Sequence, residues 1–213
     1  MARPSLRFVA LSLPALITLG AARADEAAFD VRMGDRALGR EELRASGTAV
    51  VSSATLQVIP GGAPFRYEQR TELDASGALR RYHLTSNTHE LVAEVTSAGV
   101  TLSAKVVGQR HATTLDGPGP WVILDNLVFA HYDLLGRTMV APDAPTSLRV
   151  LVPQALTALP ASCKVGPGAP VRVAGAVLET REVALTLANV HGVALVDAAT
   201  GAADLVEFPV QLL

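Results

Sequence analysis

Alternation with a period of two dominates this chain and constrains its fold more than any other feature. Phe65, Tyr67 and Gln69 alternate with Arg66, Glu68 and Arg70. Tyr82 and Leu84 alternate with Arg81, His83 and Thr85. Val100, Leu102, Ala104 and Val106 alternate with Thr101, Ser103 and Lys105, and Val183, Leu185 and Leu187 with Ala184, Thr186 and Ala188. Side chains of a strand point alternately to opposite faces, so each run predicts a half-buried strand. Turn chemistry separates the runs: Pro60-Gly61-Gly62, Asp74-Ala75-Ser76-Gly77, Ser97-Ala98-Gly99 and Asp197-Ala198-Ala199-Thr200-Gly201. Such short spacing predicts antiparallel hairpins, since parallel neighbours need long crossovers. Ten to twelve strands are expected. The turns of Asp74–Gly77 and Asp197–Gly201 share an opening Asp and a Gly at the left-handed position, a chemistry on which hairpins converge.

One segment departs from this pattern. From Asp125 to Met139 the apolar positions follow a helical period, with Leu127, His131, Leu134, Leu135, Thr138 and Met139 on one face. A helix over about 125–139 is expected, capped by Asp125 or Asn126 and weakened by Gly136. Two proline-rich joints follow, Ala141–Pro145 and Pro153–Pro170. A long antiparallel sheet with one helix buries one face most economically by curving around that helix. The fold class is therefore mainly β: a curved antiparallel sheet, an incomplete β-barrel, wrapping one α-helix. Its concave face would carry Tyr67, Tyr82, Leu84, Leu102, Val106, Leu185 and Leu187.

The N-terminus reads as a secretory leader over residues 1–24. Arg3 and Arg7 precede an apolar run from Phe8 to Leu19, and Ala22-Arg23-Ala24 is a small-x-small cleavage site. The run is shorter than the roughly 20 residues of a spanning helix. No Cys stands at the cleavage site, so no lipid anchor and no stable membrane anchor are expected. Residues 25–213 form a single domain in this reading, periplasmic or secreted. The leader would take Arg3, Arg7 and Arg23 and no acid, moving the net charge from −2 to −5. That balance argues against a nucleic-acid partner. The one cysteine, Cys163, excludes an intrachain disulfide and reads as a small buried hydrophobe.

The entry hairpin through Gly34, Gly39 and Glu41, the hairpin Asp74–Leu79 and the helix after Trp121–Asn126 together give a layout that resembles exported bacterial proteins of LolA/LppX-like half-barrel shape. The resemblance implies a carrier of lipids or lipoproteins, and one relative of that shape is a small enzyme. No catalytic residue is carried across from it.

The residues with most chemistry are Trp121, Asp125, Asn126, His131, Tyr132 and Asp133. With the inward Tyr67 and Tyr82 they could line a ligand site, where His131 meets a headgroup or acts as a general base. Structural roles weigh more: Asp125 caps, Trp121 fills the core under the helix start, and His131 bonds a strand carbonyl or a buried Tyr. No G-x-S-x-G elbow occurs, and the histidines show no metal-ligand spacing. His83 and His89 could meet across strands with Glu90 or Glu94, yet histidines on a sheet surface are usually solvated. No cofactor, metal or catalytic residue is assigned. The leading expectation is a soluble exported protein binding an apolar or lipid-like molecule in the concavity. The alternatives are a protein-interaction factor with a filled core, and a cofactor-free enzyme using the Asp125–His131 region.

Overall fold

The computed structural model describes residues 5–10, 25–33, 35–125, 127–141, 144–145, 147–173, 176–188 and 190–209. The first half is a meander of eight antiparallel strands: β2 (Asp25–Met33), β3 (Arg36–Ser46), β4 (Ala49–Leu56), β5 (Phe65–Leu73), β6 (Leu79–Ser86), β7 (His89–Val95), β8 (Gly99–Val106) and β9 (Gln109–Asp116). The second half orders β10 (Trp121–Ile123), β11 (Ser147–Val152), β12 (Thr157–Pro167), β15 (Thr180–Leu187), β16 (Val190–Asp197) and β17 (Ala203–Pro209). The strand β1 (Ser5–Ala10) lies between β17 and β2, antiparallel to both, and joins the halves. A two-stranded hairpin, β13 (Val171–Val173) with β14 (Ala176–Leu178), stands apart. Only β10 and β11 pair in parallel among the described residues. The rest of the expected leader, residues 1–4 and 11–24, lies outside the described residues.

The sheet curls: β10 approaches β6, β9 approaches β12, and the turn Pro153–Ala155 reaches β7 and β8. Its end strands β9 and β10 are not paired with each other, so the barrel stays open. Alternation sets the inner face. Tyr67, Tyr82, Leu84, Leu102 and Leu185 are buried as expected, and Leu187 is half-buried. Val106 is the exception. It ends β8 beside the hairpin turn, beyond the reach of the core, and is exposed.

The strands are more numerous than the ten to twelve expected. The stretch from Pro153 to Pro170, read as a joint, is mostly β12. Pro160 fits there because pairing with β15 starts only at Ala161, so its missing N–H leaves no ladder bond unmade on that side. Cys163 is buried in this strand as a free thiol.

The helix α1 (Ala130–Val140) starts five residues later than the apolar period suggests. Leu127 holds a left-handed φ of 64°, which no right-handed helix accommodates, so it leaves the predicted face, and Asp125 and residues 127–129 stand outside the helix. The buried side of α1 includes Asp133 and Gly136, neither of them expected there. A Cβ on Gly136 would meet the carbonyl oxygen of Gly201 at 2.4 Å, so the residue lets helix and turn touch. Asp133 ties the same region. Its Oδ1 accepts from the Ala203 amide at 2.9 Å and its Oδ2 from Arg137 Nε at 2.8 Å.

Hairpins place their turns alternately at two rims. The turns β3–β4, β5–β6 and β7–β8 lie at one rim, and β2–β3, β4–β5, β6–β7 and β8–β9 at the other. The turn Asp197–Gly201 packs on the C-terminal half of α1, at the rim of the Asp74 turn. The β15–β16 turn is then at the opposite rim, with Val107.

Candidate functional site

The concave face divides into a dry polar cluster and an apolar cleft. The cluster is built on neighbouring strands. Glu41 on β3, Ser52 on β4, Gln69 and Thr71 on β5, and Tyr82 on β6 all point inward and are buried. Thr71 Oγ1 donates to Gln69 Oε1 at 2.9 Å, and Gln69 Nε2 donates to Ser52 Oγ at 3.0 Å. Ser52 in turn bonds Glu41. The Glu41 carboxyl accepts from the amides of Phe129 at 2.6 Å and Ala130 at 3.3 Å. A strand residue 88 positions away therefore caps α1, in place of the expected Asp125. Asn126, the other expected cap, lies outside the described residues. Burial outweighs these donors and pushes the Glu41 carboxyl up to about 7.

Asp125 takes a different role. Its Oδ2 accepts from the Tyr82 hydroxyl at 2.5 Å, and its amide donates to His131 Nδ1 at 3.1 Å. With Nδ1 accepting, the ring proton of neutral His131 is assigned to Nε2. That atom is buried without a hydrogen-bond partner among the described residues. The His131 ring meets Tyr82 edge-on, with centroids 5.1 Å apart, rather than bonding a strand carbonyl. Burial drives its pKa down to about 3, so the imidazole stays neutral. Tyr67 donates to the carbonyl of Leu127 at 3.0 Å and holds the loop that precedes α1. The structure thus brings together Tyr67, Tyr82, Asp125 and His131. Tyr132 is half-buried and stacked on Phe129, close enough to Asp125 for the two to interact electrostatically.

The cleft has a volume of about 370 Å³ and lies at the Asp74 rim. Leu79, Ile123, Leu134 and Leu148 form its walls, and Ser76–Ala78 and Ala144-Pro145 its lip. Arg137 is the one charged residue lining it among the described residues. Trp121 belongs here, beside the C-terminal half of α1 rather than under its start. The Arg149 guanidinium lies 3.9 Å over its ring and donates to the carbonyls of Asp116 and Pro118. Thr71 lines the cleft too, so the hydrogen-bonded chain from Thr71 to Glu41 runs from the cleft wall to the helix start.

Sequence reasoning missed Arg137 and the roles of two residues it did name: Glu41 as the cap of α1 and Asp133 as the tie to Ala203. Glu41 carried a signal: it alternates in phase with Leu43, so a carboxylate was being sent to an apolar face. His83 does pair with Glu90, at 3.0 Å on the outer surface. No group of metal-ligating side chains forms among the described residues.

Comparison with known proteins adds the fold alone. No family model matches the chain, and no curated protein does. The crystal structure of a DUF1089 family protein from Pseudomonas aeruginosa is similar, with a TM-score of 0.50 and 17% identity, covering 89% of this chain and 95% of that one.

Proposed function

We propose that this protein binds an apolar, lipid-like small molecule in the cleft between α1, the β5–β6 turn and β10. The observation that carries the reading is the cleft itself, which is concave, walled by aliphatic side chains and fringed by few polar groups. Elsewhere the concavity is filled by α1 and the polar cluster, which fixes the helix against the sheet. The cleft thus stands beside a rigid wall, a condition that lowers the ordering cost of binding. The charged pair of Arg137 with Asp133 leaves the wall close to neutral, so an apolar ligand meets no unpaired charge from it.

The leader pattern of residues 1–24 supports export to the periplasm or the medium, with removal of β1 from between β17 and β2 on cleavage, and the half-barrel layout agrees with a carrier role. A general base at His131 gains no support from the geometry, because its ring is fully buried and does not line the cleft.

Native mass spectrometry of the protein purified under gentle conditions, followed by organic extraction, tests this reading. A co-purifying apolar molecule, lost from the cleft-filling variant Thr138→Phe, is the expected result. An identical adduct pattern in wild type and variant would place the ligand elsewhere.

A further inference from the structure

We propose that the rim carrying Val107 docks on an anionic lipid surface. Val107 and Gly108 form the β8–β9 turn with φ values of 48° and 80°. Two successive positive values are the signature of the tight hairpin turn that favours Asn-Gly. A β-branched residue in the first position is strained. Val107 is 92% exposed, so packing within the chain does not offset that strain. Val106 beside it is 43% exposed.

A second apolar tip stands at the same rim. Ile59, in the β4–β5 loop, is 68% exposed. Its loop is held in place: Gln57 Nε2 donates to the carbonyls of Ile59 at 2.6 Å and Gly62 at 2.9 Å, and Arg36 Nη2 to that of Val58 at 2.6 Å. Ile59 is therefore displayed on an ordered loop.

Charge selects the partner. Within two residues of the turns at this rim stand Arg32, Arg36, Arg66, Lys105 and Arg110, against Asp35 and Glu90. The chain as a whole is acidic, and by the same measure the opposite rim carries Glu72, Asp74, Glu94, Asp116, Glu179 and Asp197 against Arg80 and Arg181. Apolar tips among cations are the arrangement that an interfacial contact with anionic headgroups requires. Docked this way, the cleft at the far rim faces water. The proposal touches no cleft residue, so it and the ligand reading stand or fall separately.

Flotation of the full chain with vesicles of equal parts phosphatidylglycerol and phosphatidylethanolamine tests it, with phosphatidylcholine vesicles as the neutral control. The variant pair Ile59→Ser and Val107→Asn removes both tips while giving the turn its favoured Asn-Gly sequence, so folding is preserved. Wild type should float with the anionic vesicles at low salt, less with the neutral ones, and less at high salt. The double variant should partition at least about tenfold more weakly with an unchanged or raised melting temperature. Wild type that stays soluble with anionic vesicles, or a double variant that floats equally well, overturns the proposal. So does a wild-type dimer in size-exclusion chromatography that the double variant dissolves, since a second copy then covers the rim.

Discussion

The two ends of the concave face solve opposite problems with the same strands. Around Glu41 the sheet sends polar side chains inward and then satisfies them by one another and by the start of α1. Around Trp121 it sends apolar side chains inward, where they are buried and line a cleft. The first end is held by specific bonds, so single changes there should be costly. The second end is held by few, so changes there should alter binding more than stability. Burial alone does not separate the two, because both Glu41 and Trp121 lie inside; what separates them is that one end is a chain of polar groups bonded to the start of α1 and the other an apolar wall that lines a cleft.

Glu41→Ala should be the most damaging change. It strips the Phe129 and Ala130 amides of their acceptor inside the protein and leaves Ser52 short of one. A loss of about 3–4 kcal/mol is expected in urea unfolding. A loss below about 1 kcal/mol would mean that the cap contributes little.

The pH profile sharpens the comparison next. Burial raises Glu41 from 4.5 to about 7, so the folded protein keeps a proton that the unfolded chain releases. That contribution is complete below pH 4.5 and is lost as pH rises towards 7. Burial lowers His131 from 6.5 to about 3, so its contribution is complete above pH 6.5 and is lost as pH falls towards 3. Between 4.5 and 6.5 the two slopes are opposite and offset, which predicts a plateau of stability. Glu41→Gln removes one slope. Its stability should climb with pH across the former plateau, by about 1.4 kcal/mol per pH unit, and a profile parallel to that of wild type would contradict the assignment.

Gly136→Ala should cost about 1–3 kcal/mol, because the added methyl meets the Gly201 carbonyl at 2.4 Å and must push α1 off the turn. Thr138→Phe at the cleft should change stability least, within about 0.5 kcal/mol, since Thr138 is half-buried and its hydroxyl bonds only the Leu134 carbonyl of its own helix. A large loss there would show the cleft to be a packed part of the core.

These contrasts explain what was legible in the sequence. The strands, the inward set and the Asp-to-Gly turns followed from local rules. Asp74 and Asp197 cap their own turns, and Gly77 and Gly201 hold the left-handed values of 84° and 72°. The start of α1 was not legible, because what caps it is a carboxyl from a strand far away in sequence, and Leu127 breaks the helical period only through its backbone angle. The cluster of Tyr67, Tyr82, Asp125 and His131 was named residue by residue, but its bonds depend on strand register. The cleft is a matter of what is missing between elements, and no periodicity records that.

The most direct test of the ligand reading uses Trp121, the one tryptophan of the chain, which lines the cleft. Its fluorescence would be titrated with palmitate and with a single-chain phospholipid, in wild type and in Thr138→Phe. A saturable change in wild type, weakened at least about tenfold in the variant with an unchanged melting temperature, is the predicted result. A flat response in wild type to both ligands, or equal curves for the two proteins, would contradict the account.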